Sequence, residues 1–153
     1  MGGFSFRLEP VLEHKRRLED QAKQEFARAK DVERRATEEL DGLENAYGDG
    51  QGDMVSVMRD VMDLDEVTSY QRYLTKLRSD IVNQTDLVTQ LHTTSEEKRS
   101  DAVDGMRARK VVEKLKDRQY AQYVVEEKRV EQKQTDEFAT TRYRPVGVDR
   151  KPR

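Results

Sequence analysis

The chain has 153 residues, of which 34% are hydrophobic, 39% charged and 7% aromatic, with a formal net charge of −2 and no tryptophan. So little apolar material excludes an ordinary compact globule and leaves disorder or a long helical structure with one narrow seam. The absence of cysteine excludes disulfides, thiol chemistry and cysteine-ligated zinc, and no apolar run approaches the ~20 residues of a membrane span.

In chain order, residues 4–8 (Phe-Ser-Phe-Arg-Leu) alternate apolar and polar, which suits an extended lead-in. Nothing there has the apolar block of a signal peptide, and Phe6 stands where a myristoylation motif needs Ser or Thr. Pro10 fits the first turn of a helix. No further proline occurs before Pro145. Helix 1 is expected from about Pro10 to Tyr47. Its apolar stripe is Leu18, Ala22, Phe26, Ala29, Val32, Ala36, Leu40, Leu43 and Tyr47, a spacing of about 3.6 that predicts a nearly straight helix. The glycine-rich run Gly48-Asp49-Gly50-Gln51-Gly52-Asp53 is expected to break the helix. A turn over 48–63 follows, with a possible short helix in the Met-rich residues 54–62.

Asp63 and Glu66 resemble a capping box and predict the start of helix 2, over about 64–141. Val67, Tyr70, Leu74, Leu77, Ile81, Gln84, Val88, Leu91, Ser95, Lys98 and Ala102 repeat every 3.5 residues, which is coiled-coil patterning with polar interruptions at Gln84, Ser95 and Lys98. The tail, 145–153, is expected to be disordered. The predicted fold is all-α: one coiled-coil domain, a long two-helix antiparallel hairpin whose second helix is the longer. A turn centred near residue 56 brings Pro10 near Ala102 and leaves the last 35 or so residues of helix 2 projecting, partly covered by Phe4, Phe6 and Leu8.

Charge is uneven along this rod. Residues 36–70 carry Arg59 against ten acidic groups, whereas residues 71–153 carry nineteen Lys/Arg against fourteen Asp/Glu. Two ends of opposite sign suggest two different partners. The basic stretch 107–133 is interleaved with acids and falls short of a nucleic-acid footprint. Asp49, Gln51 and Asp53 have EF-hand spacing, but Met54 stands where the motif needs glycine and Asp60 where it needs glutamate. His14 and His92 are isolated and read as solvated helix surface. No phosphate-binding loop is present. No enzyme activity, catalytic residue, cofactor or metal is expected.

Two stretches carry a family resemblance: "FSFRLEPVLEHKRRLE" at residues 4–19 and "RKVVEKLKDRQYAQYVVEEKRVEQKQTDEFA" at residues 109–139. With the two antiparallel helices and the length, they resemble FliJ, a soluble component of the bacterial flagellar type III export apparatus. That resemblance implies a non-catalytic stalk, similar in fold to the central stalk of rotary ATPases. It implies that the terminal end docks in the hexameric export ATPase and promotes ring assembly. The other end contacts the cytoplasmic domain of the export gate, and export chaperones are escorted. By position, Phe6, Leu8, Arg118, Tyr120, Lys133, Asp136 and Glu137 would face the ATPase. Leu43, Tyr47, Tyr73, Leu77 and Gln84 would face the gate. The implied protein is monomeric, cytoplasmic and peripheral at the inner-membrane export apparatus, without nucleic acid or membrane insertion. Two alternatives stay open: the equivalent stalk of an injectisome, which the "RLEPVL" motif disfavours, and a structural coiled coil that dimerises through its polar seam positions.

Overall fold

A computed structural model describes residues 3–60 and 63–142. Two helices account for nearly all of them: α1, Glu9–Asp60, and α2, Leu64–Arg142, which pack against each other along the length of α1. The chain is thus an all-α antiparallel hairpin, and the second helix, at 79 residues against 52, is the longer. At 1.5 Å per residue α2 is about 120 Å long.

Local chemistry fixes both helix starts. The amide of Glu9 donates to the carbonyl oxygen of Phe6 at 3.0 Å, and Pro10, which has no amide hydrogen, occupies the first turn. At α2 the Asp63 side chain accepts from the amide of Asp65 at 3.0 Å, and the amide of Val67 donates to the Asp63 carbonyl at 3.1 Å. Asp63 is therefore the N-cap, and Asp65 and Glu66 place negative charge at the positive end of the helix dipole.

The glycine run does not end helix 1. The helix expected to stop at Tyr47 continues unbroken to Asp60, and among the described residues no glycine has positive φ. Three helical glycines cost about 1 kcal/mol each relative to alanine. Against that, the extra turns carry half-buried Met54 and Val57 and buried Gly50 along the same seam as Tyr47. Gly50 lies directly against α2: a Cβ there would stand 3.0 Å from Leu74 Cδ2 and 3.2 Å from Tyr73 Cε1. It permits close approach of the helices rather than a turn. Residues 54–60 are accordingly part of α1; Val61, Met62 and the tail from Tyr143 lie outside the described residues.

Because α1 runs on to Asp60, past the reversal expected near residue 56, the register shifts. Lys116 Nζ meets Glu9 Oε2 at 2.7 Å, so Pro10 lies near Lys116 and not near Ala102. Residues 117–142 run past the start of α1, a single helix about 40 Å long. The lead-in covers the root of this overhang, where the Phe4 ring meets Tyr120 edge-on at 5.2 Å and Tyr123 at 5.6 Å.

The α1 seam also differs from expectation. Leu18 and Val32 are 42% and 49% exposed. The buried and half-buried series is instead Leu12, Lys15, Glu19, Ala22, Phe26, Ala29, Glu33, Ala36, Leu40, Leu43, Tyr47 and Gly50, alternating by three and four. That is a 3.5-residue repeat, the spacing of helices that wind around each other left-handedly and not of a straight helix. The α2 seam runs from Val67 through Ala102, as its spacing predicts, and continues through Gly105, Arg109, Val112 and Lys116.

Candidate functional site

The seam holds charge, and most of its charged or polar interruptions meet a partner across it. Around the middle of the hairpin, the Gln84 amide donates to the carbonyl oxygen of Ala36 at 3.0 Å and to Glu39 Oε2 at 3.3 Å. Fully buried Ser95 donates its hydroxyl to Glu33 Oε2 at 2.6 Å. Glu33 also receives Lys30 at 3.0 Å and faces His92 Nδ1 at 2.9 Å. These three donors, Ser95 first, hold the Glu33 carboxyl at about 2, far below the usual carboxylate range. Lys98 pairs with Glu25 at 2.9 Å, which lowers the Glu25 pKa and raises that of Lys98. Further on, buried Glu19 binds Lys23 and the Arg109 guanidinium, which also reaches Glu113. The Lys23 hydrogen bond leads in lowering the Glu19 pKa, burial opposes it, and Arg109 adds to it.

The pattern changes two expectations. His92 is not plain solvated surface, because it closes one side of the Glu33 cluster. Gln84, Ser95 and Lys98 find their partners within the chain and give no reason to recruit a second copy. The sequence reading missed Glu19, Glu33 and Arg109. The signal was there: stepping back from Ala36 by alternating three and four residues lands on Glu33 and Glu19.

The terminal end carries the first set of expected partner residues, in two groups. Phe6, Leu8, Arg118 and Tyr120 lie around the start of α1. Phe6 is buried at 6% and belongs to the packing, while Leu8, Arg118 and Tyr120 are exposed. Lys133, Asp136 and Glu137 are exposed on the lone part of α2, about 20–30 Å further along. Val125, Val130 and Phe138 are exposed on the same stretch.

At the turn end, Tyr73 is 47% exposed beside Gly50, and Leu43 and Tyr47 are half-buried. Leu77 is buried at 6% and offers no surface to a partner. The side-chain amide of half-buried Gln84 is committed to α1. Tyr73 and Tyr70 line a shallow groove with Glu66 and Ser69. The Asp49, Gln51 and Asp53 run is helical, so it forms no calcium loop.

The model of the family described as flagellar FliJ protein matches residues 4–146 of this chain. The chain belongs to the FliJ family. No curated protein matches it. A solved structure of a putative YscO homolog from Chlamydia trachomatis is 18% identical, covers 91% of this chain and 94% of its own, and superposes with a TM-score of 0.52. That likeness is one of fold. Membership in the FliJ family makes this a protein associated with type III export, from a family of non-catalytic structural proteins. Among the described residues no helix is long and apolar enough to cross a membrane.

Proposed function

We propose that this chain is the non-catalytic central stalk and adaptor of the flagellar type III export ATPase. On this reading it promotes assembly of the hexameric ring and links it to the export gate and to export chaperones. It works in the cytoplasm, at the cytoplasmic face of the inner-membrane export apparatus. The observation that carries the reading is the overhang. Beyond Tyr123, past the lead-in, the molecule narrows to one helix, about 10–12 Å across, bearing exposed Val125, Val130 and Phe138, with exposed Tyr120 at its root. Such a spindle suits insertion into the pore of a ring. Arg118, Lys133, Asp136 and Glu137 supply polar contacts to the ring subunits around it.

The opposite, acidic end suits a second partner, the cytoplasmic domain of the gate. Tyr73 is its most exposed aromatic candidate, with half-buried Leu43 and Tyr47 in the seam. Leu77 and Gln84 support that surface from within. The test is steady-state hydrolysis by the purified export ATPase with and without this chain. Stimulation is expected, together with its loss when Tyr120 and Phe138 are both changed to aspartate. No binding and no stimulation by the unaltered chain would refute the stalk role.

A further inference from the structure

One side of the hairpin near the root of the overhang carries apolar surface that neither helix covers. On α1, Val11 and Leu18 stand one heptad apart and are 41% and 42% exposed. On α2, Ala108 is half-buried, and Val111 and Leu115 are 70% and 39% exposed. Two observations place these rows on the same side. Nearer the turn, Glu39 and Leu87, whole heptads away from Leu18 and Leu115, line one lateral groove together. The rows are also level: Glu19 lies against Gly105 and binds Arg109, and Glu9 binds Lys116. The strip is therefore continuous across both helices, and Val11 to Leu18 spans about 10 Å.

Its border is basic. His14 lies outward of Val11 and Leu18, and Arg107, Lys114 and Arg118 lie outward of Val111 and Leu115, all exposed. Only the end toward the turn carries acids, Asp104, 3.4 Å from Arg107, and Asp101, one heptad before Ala108. The ion pairs Arg16–Glu113 and Lys30–Glu33 belong to the opposite side of the hairpin. Scattered exposed apolar groups are ordinary; an apolar strip between basic rims is a docking pattern.

We propose that this strip binds an acidic amphipathic helix of a partner protein, which lies along α1 and α2 as a third coiled-coil strand. The occupant presents small or branched apolar side chains at i, i+3 or i+4 and i+7, with Glu or Asp on both flanks. A second copy of this chain would bring basic rim against basic rim, so charge selects against it. Val11, Leu18, Ala108, Val111 and Leu115 are outside the residue set assigned to the ATPase, and the site stands or falls independently of the stalk reading.

The probe is a fluorescein-labelled synthetic helix of three heptads, with leucine at its core positions and glutamate on both flanks, titrated with the full chain at low salt. Anisotropy is expected to rise saturably. Leu18→Glu and Leu115→Glu are each expected to weaken binding at least tenfold. These positions are exposed, so circular dichroism melting, unchanged within a few degrees, is the check on folding. A lysine-flanked version of the peptide is expected to bind at least tenfold more weakly. No binding of the glutamate-flanked peptide, equal binding of the two peptides, or indifference to both substitutions overturns the proposal. So does light scattering that finds a dimer dissolved by Leu18→Glu, which would make a second copy the occupant.

Discussion

The hydroxyl of Ser95 donates to Glu33 across the middle of the hairpin at 2.6 Å, between a fully buried serine and a carboxylate that occupies a seam position where a leucine would ordinarily stand. A lone buried carboxylate is costly. This one is held by three donors from both helices, and it fixes which turn of α1 faces which turn of α2. Polar seam residues commonly trade stability for register.

Replacing the pair by leucine tests that trade. The double variant Glu33→Leu with Ser95→Leu is expected to melt higher than the parent chain. It should also lose its single register, seen as broadened distances between spin labels at Arg28 and Arg99, or as new oligomers in light scattering. The single variant Glu33→Leu is expected to melt lower than the double variant, because it leaves the buried Ser95 hydroxyl against an apolar side chain, with only the His92 carbonyl oxygen, at 3.0 Å, as acceptor. A double variant with one sharp distance would remove the register role.

The seam carboxylates predict an acid-sensitive hairpin. Glu33 titrates at about 2 in the folded chain, against an ordinary value of 4.5. A lowered folded pKa contributes stability that is complete above about pH 4.5 and is lost as pH falls towards 2. Glu19 and Glu25, lowered by Lys23 with Arg109 and by Lys98, act in the same sense. Thermal melts between pH 7 and pH 2 are expected to fall below pH 4.5, and Glu33→Gln should flatten part of that slope. An unchanged slope in Glu33→Gln would show that this cluster does not set the acid response.

The glycine run allows a sharp check on α1. No neighbouring atom lies within 4 Å of a Cβ placed at Gly48 or Gly52, and both are helical. Gly48→Ala and Gly52→Ala are each expected to stabilise the chain by up to about 1 kcal/mol in urea unfolding. In a turn that needs positive φ, the same changes would destabilise it. Gly50→Leu is expected to be destabilising, because its side chain must displace Leu74 and Tyr73.

Leu12 is fully buried near the start of α1. Leu12→Ala is expected to cost about 2–5 kcal/mol, as for other buried leucines. Val82→Ala, at a position 57% exposed, should change stability by less than about 0.5 kcal/mol. Comparable losses at the two sites in urea titrations would contradict the seam assignment.

Much of the architecture is written in the sequence because helices are local. The proline-free span, the Asp63 cap and the 3.5-residue repeat of α2 state two long helices and their type of packing without reference to any distant residue. The terminal motifs likewise carried the family, since they need only be read in order. The ends were less legible. Leu77 and Phe6 are partner residues by the family resemblance, although the repeat itself puts Leu77 in the seam, and their burial depends on what lies opposite.

Tertiary structure alone decided the register, the fate of the glycines and the meaning of the seam charges. A glycine cluster has the same local preference for breaking a helix wherever it occurs. Here packing of Gly50 against Leu74 and Tyr73, with Met54 and Val57 along the seam, outweighs that preference and carries α1 on to Asp60. Glu19 and Glu33 are good surface residues by composition, and only the facing Arg109, Ser95 and His92 make them seam residues. Helix propensity acts over a few residues, whereas those partners lie 59 to 90 residues away in the chain.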